Sequence, residues 1–578
     1  MKKLMRYAGE YQKFLLLTPL LMVGEVVMET LIPTLIAQLV NMISAANETP
    51  LDMVELLKSG GLMLLMAMLS LGFGALGAWA ASKGAMGFSK NLRRALFDKV
   101  EHFSFENIDK FSTASLVTRL TTDVNQVQNV VMMMIRMAFR SPIMFVMAFF
   151  WAWKLNPSLI TILLVAAPIL LFGMVAIVKI SFPRFRIMMQ KYDSLNASVQ
   201  ENLTAIRVVK AFVREKFEKS KFAKSADDLM NAQRAAERVV ILNSPLMQLI
   251  IYGCMIAVLW LGGQQIIVGD MSVGDMIAFI TYITQILMSL MMVSFIFVAF
   301  VMSKASIVRI NEVLDEESTI ENPEHAEKNV KDGSIVFDHV SFGYGSDKSR
   351  AVLQDVNLTV RSGETIGLIG ATGSAKSTLV SLIPRLYDVT EGRVLVGGRD
   401  VREYDTTALR DAVAMVLQKN VLFSGTIAEN LRWGNEHATQ EEIEAACKVA
   451  QADGFIKSFP NGYETDLGQG GVNVSGGQKQ RLCIARALLK KPKVMILDDA
   501  TSAVDTATDA SIRAALKDQM ADTTKIIIAQ RITSVMEADR IIVLDEGRVM
   551  DVGTHDELMQ RSEIYREVYT SQQKGVEA

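Results

Sequence analysis

The residues best suited to chemistry lie in the glycine-rich stretch GATGSAKST at positions 370–378. An apolar stretch, residues 365–369, runs straight into it. A strand, a glycine-rich loop and a helix in this order form a P-loop, in which backbone N–H groups and a helix N-terminus hold phosphates. Lys376 would bind the β- and γ-phosphates of ATP, and the Ser377 hydroxyl would ligate Mg²⁺. The predicted nucleotide contacts in this loop are Gly370, Ala371, Thr372, Gly373, Ser374, Ala375, Lys376, Ser377 and Thr378.

One residue departs from the P-loop pattern, because Ala375 stands where the motif has its last glycine. A methyl group is tolerated at this position if the backbone dihedral φ is negative. It is costly if φ is positive, since only glycine reaches that region without strain. The sequence leaves both alternatives open.

Further along the chain, a second element offers a carboxylate to the same ion. The apolar residues 494–497 form a predicted strand that ends in Asp498, which places the side chain beside Mg²⁺ as a Walker-B aspartate is placed. About twenty residues upstream stands the sequence SGGQ. Its residues are Ser475, Gly476, Gly477 and Gln478. The combination resembles the signature motif of ABC (ATP-binding cassette) proteins, which grips the γ-phosphate of ATP bound to the other cassette.

The remaining elements of such a cassette follow in order, and their roles are implied by the resemblance. Tyr344 would stack on adenine, although alone it is equally well explained as a strand aromatic. Gln418, in LQKNVLFSGTIAEN, is the Q-loop glutamine, and Asp505 lies in the D-loop. The implied Mg²⁺ ligands are Ser377, Gln418 and Asp498. The fold class implied is an α-helical membrane domain followed by an α/β P-loop nucleotide-binding domain, as in ABCB-like (type IV) exporter half-transporters.

Two residues of the implied catalytic machinery differ from the family pattern. Asp499 stands where the family has a glutamate that orients the attacking water, and Gln530 stands where it has a histidine. The shorter acid holds water less well, and positioning dominates phosphoryl transfer. We expect a degenerate ATP site that binds nucleotide and hydrolyses it slowly. Because the signature is intact, we also expect a second, different half-transporter as partner. Gln469 replaces a common glutamate in the X-loop region TDLGQGG.

The composition of the 578 residues divides the chain into a part suited to lipid and a part suited to water. Half of the residues are hydrophobic, and long apolar blocks fill the first part of the chain, whereas the rest has the charged composition of a globular domain. We predict a membrane domain at residues 1–312, a linker at 313–333 and a nucleotide-binding domain at 334–578. The net charge of -2 gives no support for nucleic-acid binding. The three cysteines have no metal-ligand or disulfide spacing.

Six apolar stretches are long enough to cross the membrane, since a spanning helix needs ~20 residues. They lie at residues 14–43, 57–81, 130–153, 158–182, 241–268 and 276–302. The two long connections, between the second and third and between the fourth and fifth stretches, are rich in Lys and Arg, which places them in the cytoplasm. By contrast, the loop with Glu48 and Asp52 has no basic residue and would face outward. We expect a multi-pass protein of the cell membrane with cytoplasmic termini, whose helices continue into tips near residues 105–115 and 204–212. The resemblance implies that these tips rest on the cassettes.

Four charged residues lie inside the predicted spans, with Glu25 and Glu29 one turn apart in the first and Arg136 and Arg140 likewise in the third. Charges in a membrane face a partner or a cavity because exposure to lipid is costly. Two interpretations remain open, pairing among themselves and direct contact with substrate. The many methionines of the spans suit varied apolar ligands or simple helix packing.

These observations favour ATP-driven export of small amphipathic molecules, with drugs as the expected substrates. Lipid or peptide export by the same architecture remains an alternative, as does an ATP-gated channel or regulatory subunit. The membrane spans exclude a soluble cassette protein that acts on ribosomes or DNA. An importer is disfavoured because importers generally carry the two domains on separate chains.

Overall fold

Ten helices form the first part of the protein in this computed structural model, which describes residues 1, 3–45, 53–345 and 351–577. In chain order they are α1 (Gln12–Ala45), α2 (Met53–Glu101), α3 (Phe105–Phe111), α4 (Thr113–Thr118), α5 (Val124–Leu155), α6 (Ile160–Thr204), α7 (Ile206–Ala211), α8 (Glu215–Val240), α9 (Asn243–Val268) and α10 (Val273–Asp315). A 3₁₀ segment (Leu4–Tyr11) precedes α1, and a π-helical turn (Arg119–Asp123) joins α4 to α5. The acidic residues Glu48 and Asp52, predicted to face outward, lie outside the described residues.

The described helices include six stretches long and apolar enough to cross a membrane, which confirms the predicted membrane domain. They run from 42 to 54 residues. A helix rises about 1.5 Å per residue, so about 20 residues suffice for the hydrocarbon core, and each helix extends well beyond it. The charged stretches of α2, α6 and α8 supply the extensions of three of these spans.

The chain divides into two units, and α2 passes from one to the other. Unit 1 comprises residues 1–99 and 114–315, and unit 2 comprises residues 100–113 and 316–578. The short helix α3 therefore belongs to the same unit as the cassette. It begins with a capping box in which Asn107 N donates to Ser104 Oγ (3.3 Å) and Ser104 N donates to Asn107 Oδ1 (3.2 Å). This reciprocal cap satisfies backbone donors that an isolated short helix leaves free.

In unit 1, a buried tyrosine joins α1 to α10. The Tyr282 hydroxyl donates to the Thr30 carbonyl oxygen (2.7 Å) and lies 2.8 Å from Thr34 Oγ1. Closer to the cytoplasm, buried Asp123 accepts hydrogen bonds from Ser306 Oγ (2.8 Å) and Arg309 Nε (2.7 Å), which joins the π-helical turn to α10. Polar contacts of this kind fix the rotation of helices whose faces are otherwise uniformly apolar.

Twelve strands and nine further helices form the described cassette. The strands are β1 (Ile335–Phe342), β2 (Leu353–Val360), β3 (Thr365–Ile369), β4 (Glu391–Val396), β5 (Arg399–Asp400), β6 (Val413–Val416), β7 (Gly425–Thr426), β8 (Asp466–Leu467), β9 (Val494–Asp498), β10 (Thr524–Ile528), β11 (Arg540–Asp545) and β12 (Arg548–Gly553). The helices are α11 (Lys376–Ser381), α12 (Thr406–Ala412), α13 (Ile427–Arg432), α14 (Gln440–Val449), α15 (Asp453–Ser458), α16 (Gly476–Leu489), α17 (Thr506–Gln519), α18 (His555–Arg561) and α19 (Glu563–Glu577).

The central sheet has the order β12-β11-β3-β10-β9-β6, in which only β12 is antiparallel to its neighbour. A second, antiparallel sheet has the order β2-β1-β4-β5. The space between the two sheets is filled by apolar side chains such as Ile366, Leu368 and Ile496. Parallel strands buried on both faces are nearly continuous apolar runs, which is why their sequences show no alternation. The predicted α/β cassette is confirmed.

We expect Gly274→Ala to destabilise the protein. Gly274 lies in the first turn of α10, where an added Cβ would overlap the Ala37 carbonyl oxygen and crowd Asn41 Oδ1. Overpacking at such a contact costs about 1–3 kcal/mol, so the thermal midpoint of the purified protein in detergent should fall. Gly263→Ala in α9 is the matched control, because an added Cβ there meets no described atom within 4 Å. Equal midpoints for the two variants would contradict the close approach of α1 and α10.

Candidate nucleotide site

The predicted chemistry gathers at one edge of the central sheet. Strand β10 lies between β3 and β9, with Ile528 opposite both Leu368 and Asp498. The carboxyl ends of parallel strands meet at the same edge, where α/β folds bind their ligands. The P-loop follows β3, the two aspartates end β9, and Gln530 follows β10. Tertiary structure therefore brings together residues that are more than 100 positions apart.

The P-loop is closely packed at its first glycine and exposed at its tip. A Cβ at Gly370 would overlap the Leu544 carbonyl oxygen, so only glycine fits there. Lys376 Nζ donates to the carbonyl oxygens of Gly370 (2.9 Å) and Ala371 (2.8 Å). Burial lowers the pKa of Lys376. Residues Ala371, Thr372 and Gly373 are exposed, whereas Ser374 is buried. An exposed glycine-rich turn with a lysine beside it fits the predicted phosphate cradle.

Two residues of this site hold left-handed backbone conformations that disfavour side chains. Ala375, at the start of α11, has φ 73°, which is the costly one of the two alternatives left open by the sequence. Asp499 has φ 51°. A left-handed conformation costs a residue with a Cβ roughly 1–2 kcal/mol, and such strain clusters at functional sites.

The carboxylates predicted for metal binding and water positioning lie side by side after β9. Asp498 is buried, with only 4% exposure. Burial raises the pKa of Asp498, the Ser377 hydroxyl opposes that shift and the Asp499 carboxylate reinforces it. Burial also raises the pKa of Asp499, against hydrogen bonds from Gln418 and Gln530. Hydroxyl, carboxylate and amide oxygens are ligands that Mg²⁺ accepts, so the donor set of Ser377, Asp498 and Gln418 fits the predicted ion.

The two positions that depart from the family pattern contact each other. Gln530 Nε2 donates to Asp499 Oδ2 at 2.9 Å. The backbone of Asp499 is held as well, because its N–H donates to the Ile528 carbonyl oxygen (3.1 Å). The side chain that would orient water is therefore itself engaged by a neutral amide.

The predicted adenine-stacking residue lies beside the P-loop helix. Tyr344 is 45% exposed, and its hydroxyl lies 3.0 Å from Thr378 Oγ1. The ring packs edge-on against Tyr387, with 5.3 Å between centroids. Tyr387 in turn donates from its hydroxyl to Asp109 Oδ2 of α3 (2.7 Å). The aromatic cluster thus connects the predicted adenine platform to the first cytoplasmic tip.

The signature segment begins α16 with a capping box. Gln478 N donates to Ser475 Oγ (3.3 Å) and Ser475 N donates to Gln478 Oε1 (2.8 Å). Ser475 and Gly476 are exposed, as required of a surface that grips nucleotide on another cassette. An added Cβ at Gly477 would lie 2.7 Å from the Ala503 carbonyl oxygen, so this glycine allows close packing on the D-loop segment.

Gln480 is a residue that sequence reasoning missed. It is buried, its Oε1 accepts from Ala503 N (2.9 Å), and its Nε2 donates to Ser502 Oγ (3.1 Å). The signature helix and the segment after β9 are therefore joined by one side chain. Its sequence signals are its place in the signature segment VSGGQKQR and a polar residue on the apolar face of α16. Asp505 caps α17 by accepting from Thr508 N (2.9 Å), and Gln469 is exposed.

The charged residues within the membrane helices pair across α1 and α5. Arg140 Nη2 donates to Glu29 Oε2 (2.6 Å), and Arg140 Nε lies 3.4 Å from Glu25 Oε1. Of the two interpretations of these charges, the pairing one therefore holds for these three residues. Glu25 Oε2 is buried and has no hydrogen-bond partner among the described residues.

We expect Ala375→Gly to stabilise the cassette by up to about 1 kcal/mol, because glycine adopts φ 73° without the Cβ penalty but loses more entropy on folding. The measurement is the thermal midpoint of the purified protein. A matched control is Ala371→Gly, in the same loop but outside the left-handed region, which should be neutral or destabilising. Destabilisation by Ala375→Gly would contradict the backbone conformation.

Comparisons with known proteins agree with this geometry. The family described as ABC transporter transmembrane region matches residues 15–290, and the one described as ABC transporter matches residues 353–502. An uncharacterized ABC transporter ATP-binding protein of Bacillus subtilis is 38% identical over 99% of this chain and 98% of its own length. A Bacillus subtilis ATP-binding/permease protein named for multidrug export is 34% identical over 99% of each chain. An ATP-dependent lipid A-core flippase of Desulfotalea psychrophila is 34% identical over 84% of each chain.

A solved structure of a bacterial Atm1-family ABC exporter with ATP bound has a TM-score of 0.82 and 26% identity, and the match covers 96% of this chain and 98% of that one. Its fold combines the six spans and the α/β cassette found here. The chain is a multi-pass membrane protein with a cytoplasmic ABC domain, and it belongs to the ABC transporter family, among the exporters.

Proposed function

We propose that this chain is one half of a heterodimeric exporter of amphipathic small molecules, and that it prefers cationic ones. The observation that carries the proposal is a cavity of about 250 Å³ within the membrane helices. Its walls come from α1, α5 and α10. The lining residues are Glu29, Arg140, Ser141, Met144, Thr281, Thr284, Gln285, Met288, Ser289 and Met292.

The lining of this cavity combines apolar and polar groups. Three methionines offer flexible thioethers that adapt to ligands of different shape. Hydroxyls and the Gln285 amide offer a few hydrogen bonds, and Gln285 Oε1 is a buried acceptor with no partner among the described residues. Small-molecule sites are typically apolar with few convergent polar groups, and this mixture suits an amphipathic ligand.

Charge favours a cationic ligand over an anionic one. Glu25 and Glu29 share a single guanidinium, that of Arg140, so the three residues together offer two carboxyl groups for one cation. Isolated charge inside a membrane is costly and calls for a counter-ion. Gln285 Oε1, in the lining of the cavity, is an acceptor without a partner among the described residues, and an ammonium or guanidinium group would satisfy it.

The cassette residues support the proposal that two different chains have different roles in ATP hydrolysis. Asp499 is one methylene shorter than the family's glutamate, and its Oδ2 accepts a hydrogen bond from Gln530. The shorter side chain does not reach the position from which the family's glutamate would orient water, and misplacement by about 1 Å can cost a hundredfold in rate. The intact signature at Ser475 would complete the ATP site of a partner that carries the glutamate and the histidine.

When bound, Mg-ATP would supply the phosphoryl group whose hydrolysis drives the transport cycle. On this chain Lys376 and the P-loop backbone would hold the phosphates. The metal would be held by Ser377, Asp498 and Gln418, and the adenine would stack on Tyr344. The contact of Tyr387 with Asp109 in α3 supports a coupling role for the first cytoplasmic tip, by which closure of the cassettes would reach the membrane helices.

A first test compares the ATPase activity of the purified chain alone and together with a second half-transporter that carries the glutamate and the histidine. We expect the lone chain to be nearly inactive and the pair to be active. Removal of the P-loop lysine from the partner chain should abolish the ATPase activity of the pair. The corresponding change in this chain, Lys376→Ala, should alter that activity only modestly. Asp499→Glu should raise turnover at this site only. Brisk hydrolysis by the lone chain would show a self-sufficient homodimer and refute the degenerate site.

A second test addresses the substrate. Glu29→Gln leaves Glu25 to pair with Arg140 and removes the carboxyl group that lines the cavity, so the apparent affinity for a monocationic dye should fall about tenfold, equivalent to ~1.4 kcal/mol. Transport of a neutral analogue of the same dye in proteoliposomes should be unaffected. Glu237→Gln, at an exposed position on α8, is the control. Equal losses for both dyes would contradict a charge-selective cavity.

Two rival functions are tested in the same proteoliposomes. A lipid exporter would move a fluorescent phospholipid in an ATP-dependent manner and ignore the dyes, and a peptide exporter would respond to peptides alone. A channel or regulatory subunit would pass single-channel currents that depend on ATP. If any of these results is obtained and the dyes are not transported, the proposal is wrong and the corresponding function takes its place.

A further inference from the structure

The C-terminal helix α19 contacts the segment that follows β10. Gln572 Nε2 donates to the Gln530 carbonyl oxygen (2.7 Å), and Gln572 Oε1 accepts from Ile532 N (2.9 Å). A single amide thus bridges the backbone on both sides of Arg531. A two-point hydrogen bond fixes orientation as well as distance, because both atoms of the planar amide are engaged.

Apolar packing holds the same two segments together. Ile532 and Ala529 are buried in one cluster with Tyr565 of α19, Leu558 of α18 and Ile369 at the end of β3. Tyr565 and Leu558 are fully buried. Because the cluster also contains the residue before the P-loop, α18 and α19 form part of the support beneath the nucleotide site. The position of Gln572 is therefore set by a packed core and not by a loose terminal helix.

The contacts continue from this segment to the site itself. The Gln530 backbone is held by Gln572, and the Gln530 side chain donates to Asp499 Oδ2 (2.9 Å). A side chain can aim at a target only if its own backbone is fixed. The segment is also tied on its other side, where Ser534 Oγ donates to Asp509 Oδ2 of α17 (3.1 Å).

We infer that Gln572 is a positioning residue for ATP turnover, by which the C-terminal helix sets the aim of the side chain at position 530 toward Asp499. The inference rests on the proposed assignment of Asp499 and Gln530 to the ATP site of this chain. Gln572 does not contact the reacting atoms; it acts through the backbone of residues 530–532. The C-terminal helix is then a place from which turnover can be adjusted without touching the P-loop or the signature.

The test uses the complete transporter, with hydrolysis at the partner's site disabled by removal of the partner chain's P-loop lysine. Because the natural sequence is expected to be nearly inactive in this pair, turnover is measured in an Asp499→Glu background, in which hydrolysis at this chain's site is raised. We expect Gln572→Ala to lower kcat about tenfold with the KM for ATP changed less than about twofold. Gln573→Ala, at the exposed next position of α19, is the matched control and should match the parent.

A double-mutant cycle separates positioning from a general loss of stability. In a Gln530→Ala background, Gln572→Ala should have no further effect, because the side chain that it aims is gone. Gln572→Glu keeps the acceptor for Ile532 N and loses the donor to the Gln530 carbonyl, so it should lower kcat to a similar extent. The inference is overturned if kcat is unchanged, if Gln573→Ala is equally slow, or if the loss persists without the Gln530 side chain.

These outcomes remain distinguishable from failure of the proposed function. Fast hydrolysis by the lone chain refutes the degenerate site, yet the effect of Gln572→Ala on kcat can then be measured in the homodimer. Conversely, if hydrolysis at this site is slow and Gln572→Ala does not change its rate, the proposed heterodimer stands and only the positioning role of α19 is refuted.

Discussion

Parallel pairing of three strands determines the geometry of the cassette. Because β10 lies between β3 and β9 in register, with Ile528 opposite both Leu368 and Asp498, three loops leave the sheet at the same edge. One is the P-loop, one carries the paired aspartates and one carries Gln530. Each strand is buried on both faces, so a shift of register would move apolar residues out of the core. The core thus fixes the site, although it makes no contact with nucleotide.

Backbone strain and hydrogen bonds then adjust the positions of the loop residues that follow these strands. Ala375 and Asp499 both hold left-handed conformations, at the start of α11 and immediately after Asp498. Such conformations persist only where surrounding contacts over-determine them. Gln480 from α16 is one such contact, since its Nε2 also donates to the Asp499 carbonyl oxygen (3.4 Å). Gln572 from α19 holds the neighbouring loop through the backbone of Gln530 and Ile532. Side-chain amides suit this task because one group donates and accepts at once.

In the membrane domain, the free-energy cost of an isolated charge constrains which helix faces pack together. Arg140 on α5 reaches Glu25 and Glu29 on α1, and the network borders a cavity that α10 completes. Apolar packing alone gives little preference for one helix rotation over another in lipid. The ion pairs, together with the Tyr282 and Asp123 contacts, specify which faces meet. The same charges that orient the helices also set the chemistry of the cavity.

The sequence by itself determined the six spans, the α/β cassette and the identity of its motif residues. These depend on local signals, namely the length of apolar runs and the spacing of glycines around Lys376 and Ser475. Tertiary structure alone decided that Ala375 has a positive φ, that Arg140 pairs with both glutamates, and that Gln530 reaches Asp499. It also revealed the contacts of Gln480 and Gln572, neither of which is among the predicted site residues. The physical reason is that backbone dihedrals and contacts between distant segments are set by packing of the whole fold, whereas periodicity and spacing report only neighbours along the chain.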